Sequence, residues 1–374
     1  MKLSIHKNEL QRGLTRIQAI VEKRNSMPIL ANVLLEATGK GQDGLLRLAA
    51  TDLEVGIQSL HSSDVGKPGG LTVSAKKFYE IVRELPDELV ELEATKNSFL
   101  GIRCARVNFT LAGTAAEEYP TLPSFTPEKT VPVQAAVLST MIERTMYASS
   151  VDETRYNLNG VHLEVLADSG KIRMVATDGH RLARVDRTLA ADTTALASGV
   201  IIPRKGLAEL KRLVDEDDAD EVELAFEGNS GLAKKGDVTL IMRLIEGEFP
   251  NYTQVVPKQI SRRVTIPTAD LGHALRRVAL LSSERSRAVK LEIGENKLSI
   301  SSNNPDLGEA SEELDIDFDG EALAIGFNAR YLLDVIGALR AKEVTLGFQD
   351  DLSPAEVVPT DDEDTLAVVM PMRI

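Results

Sequence analysis

The stretch Thr177-Asp178-Gly179-His180-Arg181-Leu182 places a carboxylate, an imidazole and a guanidinium side by side, the groups that acid–base catalysis uses. No nucleophile or second acid stands near them in sequence, and the flanks IRMVA and ARVDR alternate, so Asp178-Gly179 reads as a hairpin turn. Gly39, Gly41 and Gly44 match G-x-G-x-x-G, but the dinucleotide fingerprint must lead from a strand into a helix. Here LLRLAATD follows, a strand pattern, and the glycines read as a loose hairpin loop. Residues 315–320 (DIDFDG) open like a calcium loop, yet the twelfth position is Gly326, where a bidentate glutamate is required. The alternation of Leu314, Ile316 and Phe318 with acids reads instead as a half-buried strand with an acidic outer face. Cys104 is the single cysteine, which excludes an internal disulfide framework and a Cys-rich zinc site, and it reads as a packing residue. The acidic runs 215–220 and 361–364 read as solvated loops. No catalytic, metal or cofactor constellation emerges.

The elements that position these residues recur. Apolar stripes at helical spacing run through residues 9–24 (Leu10, Leu14, Ile17, Val21), 137–150 (Leu138, Met141, Ile142, Thr145) and 271–285 (Leu271, Leu275, Val278, Ala279). Each is followed by a strand pattern, NVLLEA, GVHLEV or AVKLEI, whose glutamates Glu36, Glu164 and Glu292 are spaced by 128 and 128. The pairs Thr51-Asp52, Thr177-Asp178 and Asn303-Asn304 close a second strand at steps of 126 and 126. A second helix opens near Ala75, Pro203 and Asn328, and ELVELEA, DEVELAF and KEVTLGF follow as alternating strands. Landmarks held in step over two periods imply three tandem copies of one helix/antiparallel-sheet domain, an α+β fold. The borders are expected at the proline-rich stretches, giving domains 1–129, 130–262 and 263–374.

The chain of 374 residues carries a net charge of −14. Counted over 9–24, 76–85, 137–150, 204–214, 271–285 and 328–342, the six helices carry +10, which leaves −24 for everything else. None of the six is net acidic. Arg12, Arg16, Lys77, Arg83, Lys211, Arg212, Arg276, Arg277, Arg330 and Arg340 contribute to this basic set. One surface lined by helices and facing a polyanion accounts for the segregation, through sequence-independent phosphate contact. Aromatics are only 4% with no Trp, which disfavours a base-stacking platform. No apolar run approaches a membrane span and no signal-peptide pattern opens the chain, so a cytoplasmic location is expected.

With these elements in order, the sequence resembles the bacterial DNA polymerase III beta subunit family, the replication sliding clamps. The resemblance spans essentially the whole chain and is carried by MPILANVLLE (27–36), RYNLNGVHLE (155–164), VATDGHRLA (175–183), IIPRKGLAEL (201–210), EGEFPNY (246–252) and VVMPMRI (368–374). It implies a head-to-tail homodimer closing a six-domain ring, with helices lining a hole for duplex DNA. The ring would tether the replicative polymerase for processive synthesis, with no chemistry and no cofactor of its own. A hydrolase or transferase centred on His180 lacks its constellation. An interaction hub that never encircles DNA leaves the helix charge without a role.

The resemblance also implies three surfaces. Duplex DNA would meet Arg24, Lys76, Arg155, Tyr156, Arg204 and Lys205. The loop departs from its relatives at Val151, Asp152 and Asn157. A short peptide motif of the polymerase III catalytic subunit, the clamp loader, other DNA polymerases and repair proteins would dock between the second and third domains. Leu158, Thr177, Gly179, His180, Arg181 and Leu182 would supply one side of that pocket. Pro250, Val255, Asn328 and Tyr331 would supply another, and Val368, Met370, Met372 and Arg373 the C-terminal wall. Gln254 and Pro354 differ from the familiar residues and imply a shifted peptide preference. At the dimer interface Phe109 and Leu111 would meet Leu280 and Leu281 of a second copy, and Arg103 and Arg106 would face Glu309, Glu312 and Glu313.

Overall fold

Six helices form on the apolar stripes: α1 (Lys7–Ile20), α2 (Ala75–Glu84), α3 (Ala135–Met146), α4 (Arg204–Val214), α5 (Thr268–Val278) and α6 (Ala329–Leu339). In this computed structural model the described residues are 1–21, 27–122, 127–166, 169–189, 193–196, 199–216, 220–283 and 286–373. Leu10, Leu14 and Ile17 are fully buried, as are Leu138, Met141 and Ile142 and then Leu271 and Leu275. Side-chain caps hold two of the second helices, α2 and α6. Ser74 Oγ accepts from the Lys77 N–H, and Asn328 Oδ1 accepts from the Arg330 N–H at 2.9 Å.

The third helix stops at Met146, short of residue 150, and three other ends also fall short of the expected stretches. The first helix stops at Ile20, because Val21 turns to extended backbone (φ −69°, ψ 112°). The fifth passes at Val278 into the 3-10 turn Ala279–Leu281. Arg340, at φ 50°, terminates the sixth before residue 342.

The strand pairs are antiparallel throughout the described residues, and they form two compact units. Unit one comprises Met1–Ala136 with Ala208–Leu244, and unit two comprises Val137–Leu207 with Ile245–Ile374. Their borders run through α3 and α4. In unit one a twelve-stranded sheet joins the first repeat to half of the second. The seam is the strand Val55–Lys67 against Val238–Arg243, with Val55 opposite Met242 and Ser59 opposite Val238. In unit two an eight-stranded sheet makes the same seam one repeat later. Arg181–Thr188 lies against Thr365–Val369, with Arg181 opposite Val369 and Val185 opposite Thr365. A four-stranded sheet completes the third repeat, and Gly308–Asp315 is one of its two edge strands. The first repeat keeps a second open edge. Val107–Thr114 pairs along Phe99–Cys104 but meets Gly69–Ser74 only at Thr114 and Gly113.

Several local expectations change. The strand expected through 315–320 ends at Asp315. Ile316 and Phe318 still bury while the chain leaves the ladder, because their backbones bond Asn296. Gly41 and Gly44 belong to the strand Gly41–Thr51 and not to a loop, with a bulge between them. A Cβ on Gly44 would meet the Val65 side chain at 2.4 Å, so glycine there allows close approach. The run 361–364 is a loop exposed at Asp361 and Glu363, but its other two carboxylates are engaged. Asp362 ion-pairs with both Arg144 and Arg187, and Asp364 binds Lys171 at 2.6 Å. Burial raises the Asp362 carboxyl, but the Thr365 hydroxyl and the two arginines outweigh it and hold the carboxyl below its ordinary range. Asp217, Asp218 and Ala219, within the other acidic run, lie outside the described residues.

Lys235 is a buried cation in unit one. Its Nζ donates to the carbonyls of Leu213 (3.1 Å), Val214 (3.2 Å) and Glu216, so it caps the C-terminus of α4. Arg16 clamps the Glu216 carboxylate from α1. No helix among the described residues is long and apolar enough to cross a membrane.

Candidate partner and nucleic-acid surfaces

The TDGHRL segment is a tight turn between the strands Lys171–Thr177 and Arg181–Thr188. Thr177 Oγ1 donates to the Arg181 carbonyl at 2.7 Å and accepts from the Gly179 N–H. Asp178 Oδ1 accepts from the N–H groups of His180 and Arg181 at 2.9 and 3.0 Å. Gly179 sits at φ 87°, where glycine carries no Cβ penalty. Asp178 is therefore a turn former, with its second oxygen on Arg181.

Arg181 is held on every side. Nε donates to Asp178 at 3.0 Å, Nη1 to Asp334 at 2.6 Å and Nη2 to the Tyr147 carbonyl at 2.8 Å. Its guanidinium carbon lies 4.7 Å from the Tyr331 ring centre and 5.4 Å from that of Tyr147. His180 stacks on Tyr331 at 6.1 Å. Burial pushes the Tyr147 and Tyr331 phenols up. Asn328 lines the same cleft.

Of the predicted peptide residues, Thr177, Gly179, His180, Arg181, Asn328 and Tyr331 thus come together around one guanidinium. The C-terminal wall joins them by backbone. Met370 donates its N–H to the His180 carbonyl at 2.9 Å, and Met372 donates to that of Gly326 at 2.8 Å. Met370, Met372 and Arg373 line a separate cavity of about 580 Å³ with Leu352 and Lys290. Leu182 and Val368 are buried with Val175 and Leu366, under Phe249, Tyr252 and Val256. Both are packed against neighbours and shut off from solvent, directly beneath that surface. Val255 and Pro250 are exposed, and Leu158 is half-buried. The turn Glu153–Leu158 is tied to the segment before Pro250 by Asn157 Nδ2, which donates to the Glu248 carbonyl at 3.0 Å. Gln254 is exposed and Pro354 half-buried. Sequence reading missed Tyr147, Asp334 and Phe249. Only Phe249 carried a signal, inside EGEFPNY.

The DNA set is placed unevenly. Arg24 lies outside the described residues. Lys76 is exposed on α2 in unit one, 3.8 Å from Glu80. In unit two, Arg155 donates to the Asp178 carbonyl at 3.0 Å, Tyr156 is exposed, and Arg204 opens α4 with Nη1 on Ser149 Oγ at 2.9 Å. Lys205 follows it, half-buried. Asp152 Oδ1 accepts from both the N–H and the hydroxyl of Thr154, so the departure there builds the loop. Several helix cations are neutralised by neighbours: Arg16 by Glu216, Lys77 by Glu80, Lys211 by Asp215 and Arg212 by Glu209.

The interface residues sit on the two open edges. Phe109 is exposed and Leu111 half-buried on Val107–Thr114, and Arg106 is exposed in the preceding turn. Arg103 binds Glu91 and Asn108. Leu280 is 77% exposed on the turn beside Gly308–Asp315, and Leu281 is half-buried. Glu309 is exposed, while Glu312 and Glu313 pair with Arg277 and Lys297 of their own copy.

Comparison with known proteins matches three family profiles in order. They are the DNA polymerase III beta subunit N-terminal domain over residues 1–123, central domain over 132–251 and C-terminal domain over 253–373. A beta sliding clamp of Caulobacter vibrioides is 36% identical, with both chains covered in full. A crystal structure of a DnaN sliding clamp from Pseudomonas aeruginosa bound to griselimycin is 35% identical, with TM-score 0.93 over all of both chains. The C. crescentus beta sliding clamp, with PEG bound to a putative beta-motif tethering region, is 37% identical, with TM-score 0.92 over the same full coverage.

Proposed function

The chain belongs to the DNA polymerase III beta subunit family, and from that membership we propose that two copies close head to tail around duplex DNA as a processivity clamp. The role is to tether the replicative polymerase and other partners without chemistry of its own. It is exercised in the cytoplasm by three clamp domains, 1–129, 130–262 and 263–374.

The observation that carries this reading is the seam rule. Within the chain, the fourth strand of one repeat pairs with the last strand of the next, twice, in the same register. The rule leaves two strands open, Gly308–Asp315 at one end of the repeat series and Val107–Thr114 at the other. Open edges are templates for pairing, and a heterologous contact of this kind closes into a ring when the rotation allows. Carrying the register forward sets Gly308 opposite Leu111 of the partner subunit and Ala310 opposite the partner's Phe109. Leu280 and Leu281 stand beside this edge, with Arg103, Arg106, Glu309, Glu312 and Glu313 at its rim. Lys76, Arg155, Tyr156, Arg204 and Lys205, with Arg24, would touch DNA by short-lived electrostatic contact. Peptide motifs of partners would lie over Leu158, Thr177, Gly179, His180, Arg181, Leu182, Pro250, Val255, Asn328, Tyr331, Val368, Met370, Met372 and Arg373. Methionine and mixed polar rims suit a surface reused by several ligands.

The test is topological. Protein threaded at low salt onto bead-tethered linear duplex should stay through a high-salt wash only where the free end is blocked. Equal loss from blocked and open DNA, with a verified dimer, would refute encirclement.

A further inference from the structure

The cleft around Arg181 has a volume of about 610 Å³ and is walled by charge. Arg155, Arg181, Arg204, Arg287 and Arg330 line it against Asp152, Asp178 and Asp334. Arg181 is committed to Asp178 and Asp334. Arg155 and Arg330 each lie 3.9 Å from an aspartate, at the outer limit of pairing. Among the described residues Arg204 bonds only neutral groups, the Ser149 hydroxyl and the carbonyls of Met146 and Ser149. Arg287 has no carboxylate partner among the described residues. It stands exposed at φ 48°, a left-handed conformation that arginine rarely adopts. Backbone bonds to Ser283 and Ala329 hold it there.

Two further features point the same way. Helices α4 and α6 both begin at this cleft, through Arg204 and through Asn328 and Arg330, so two positive helix ends converge on it. Tyr147 lines it with a buried hydroxyl that has no hydrogen-bond partner among the described residues. Donors gathered from several directions match a tetrahedral oxyanion better than a planar carboxylate, because its oxygens satisfy several guanidinium forks together.

We propose that this cleft is a phosphate seat in which Arg204 and Arg287 hold a phosphate group, carried by a nucleic-acid backbone or free as pyrophosphate. Only the identity of the arriving polyanion rests on the clamp reading. The seat itself does not.

The test uses the full chain and two probes. Calorimetric titration with inorganic pyrophosphate should be saturable. It should weaken about tenfold in Arg204→Gln, Arg287→Gln and Arg287→Gly, and stay unchanged in the charge-matched Lys234→Gln. The glycine variant accepts φ 48° freely, so a folding defect cannot mimic the loss. With end-blocked duplex, Arg287→Gln should lower the slope of log affinity against log salt by about 1 if the phosphate comes from DNA. An unchanged slope with pyrophosphate binding intact assigns the seat to a free phosphate. Absence of saturable pyrophosphate binding, or equal weakening by Lys234→Gln, overturns the proposal whatever the DNA shows. Failure of the unmodified chain to stay on blocked duplex would refute the clamp reading and leave the pyrophosphate result standing.

Discussion

Leu53 and Gly179 occupy the same position in two copies of one hairpin, at φ 80° and φ 87°. Around them the bonds repeat one by one. Thr51 and Thr177 donate to the carbonyls of Val55 and Arg181, and Asp52 and Asp178 each accept two N–H groups from the turn. Arg243 and Met370 donate to the carbonyls of Glu54 and His180 at 2.8 and 2.9 Å. The backbone demands a left-handed residue at this point, and the two repeats satisfy it differently.

That difference gives the first prediction. A side chain in the left-handed region costs about 1–2 kcal/mol, partly offset by the roughly 0.5–1 kcal/mol of entropy that glycine loses on folding. Leu53→Gly should therefore leave thermal stability unchanged or slightly higher. Gly179→Ala should lower it by about 1 kcal/mol, and its Cβ would also meet Arg155 Nη1 at 2.9 Å. A Leu53→Gly variant that melts clearly below the parent would show that Leu53 makes contacts outweighing its strain.

Arg181 gives the second. Replacing it with Ala leaves Asp178 and Asp334 facing each other without their shared cation and strips one face of Tyr331. Removing one partner of a largely buried pair costs about 3–5 kcal/mol. Denaturant unfolding should show a loss of this order. Titration of a clamp-binding peptide should weaken in parallel, since His180 and Tyr331 lose their common support. Normal stability in Arg181→Ala would mean the bonds to Asp178 and Asp334 are not maintained in solution.

Much of this architecture was legible in the sequence because it repeats. Landmarks such as Glu36, Glu164 and Glu292 fix the period without any structure. The apolar stripes marked the buried helix faces correctly at Leu10, Leu138 and Leu271. Helix ends were less legible. A side-chain period cannot announce that Val21 turns extended or that Arg340 adopts φ 50°. Long-range pairing was not legible at all. Asp362 looks solvated until strand pairing delivers Arg144, more than two hundred residues away, to its carboxylate. For the same reason the helix charge overstated what is available to a polyanion, since Arg16 and Lys77 find carboxylates nearby. Arg287 carries no periodic or motif signal, and only the folded cleft singles it out.

The open edges give the third prediction, and it tests register. The pair Phe109→Cys with Ala310→Cys should form a disulfide-linked dimer under mild oxidation, because directly opposite residues bring Cα atoms within disulfide reach. Shifting one position, to Phe109→Cys with Ser311→Cys, should cross-link poorly. Cys104 is buried and should not compete. Equal cross-linking of both pairs on a non-reducing gel would contradict the seam register. Leu280→Glu with Leu281→Glu should give monomers by light scattering.

Lys235 gives the fourth. In Lys235→Met the stem is replaced by a side chain of similar length, but three carbonyls at the end of α4 lose their donor. Each buried carbonyl left unsatisfied costs about 1–3 kcal/mol, reduced here where water can reach Glu216. A net loss of about 2–4 kcal/mol in denaturant unfolding is expected. Unchanged stability would mean that water replaces the ammonium fully.

The last prediction concerns acid. His61 is buried beneath α1, where a Cβ on Gly13 would already meet its Nε2 at 2.4 Å. Burial pushes its pKa below the ordinary value, Glu9 opposes that shift, and Arg16 and Arg12 add to it. His162, stacked on Phe249 at 5.0 Å, is lowered by burial too. Both imidazoles are thus neutral in the fold and protonate more readily in the unfolded chain. The unfolded state then binds more protons as pH falls through the ordinary histidine value of about 6.5, so stability declines below that pH and levels off only beneath the depressed folded values. Melting temperature should be flat from pH 8 to about 7 and should fall between about 6.5 and 5. His61→Gln, which retains a side-chain group for Ser59, should flatten part of the slope and leave the share that belongs to His162. An acid slope unaltered by His61→Gln would show that His61 keeps an ordinary pKa, and that the helix above it opens enough to admit water.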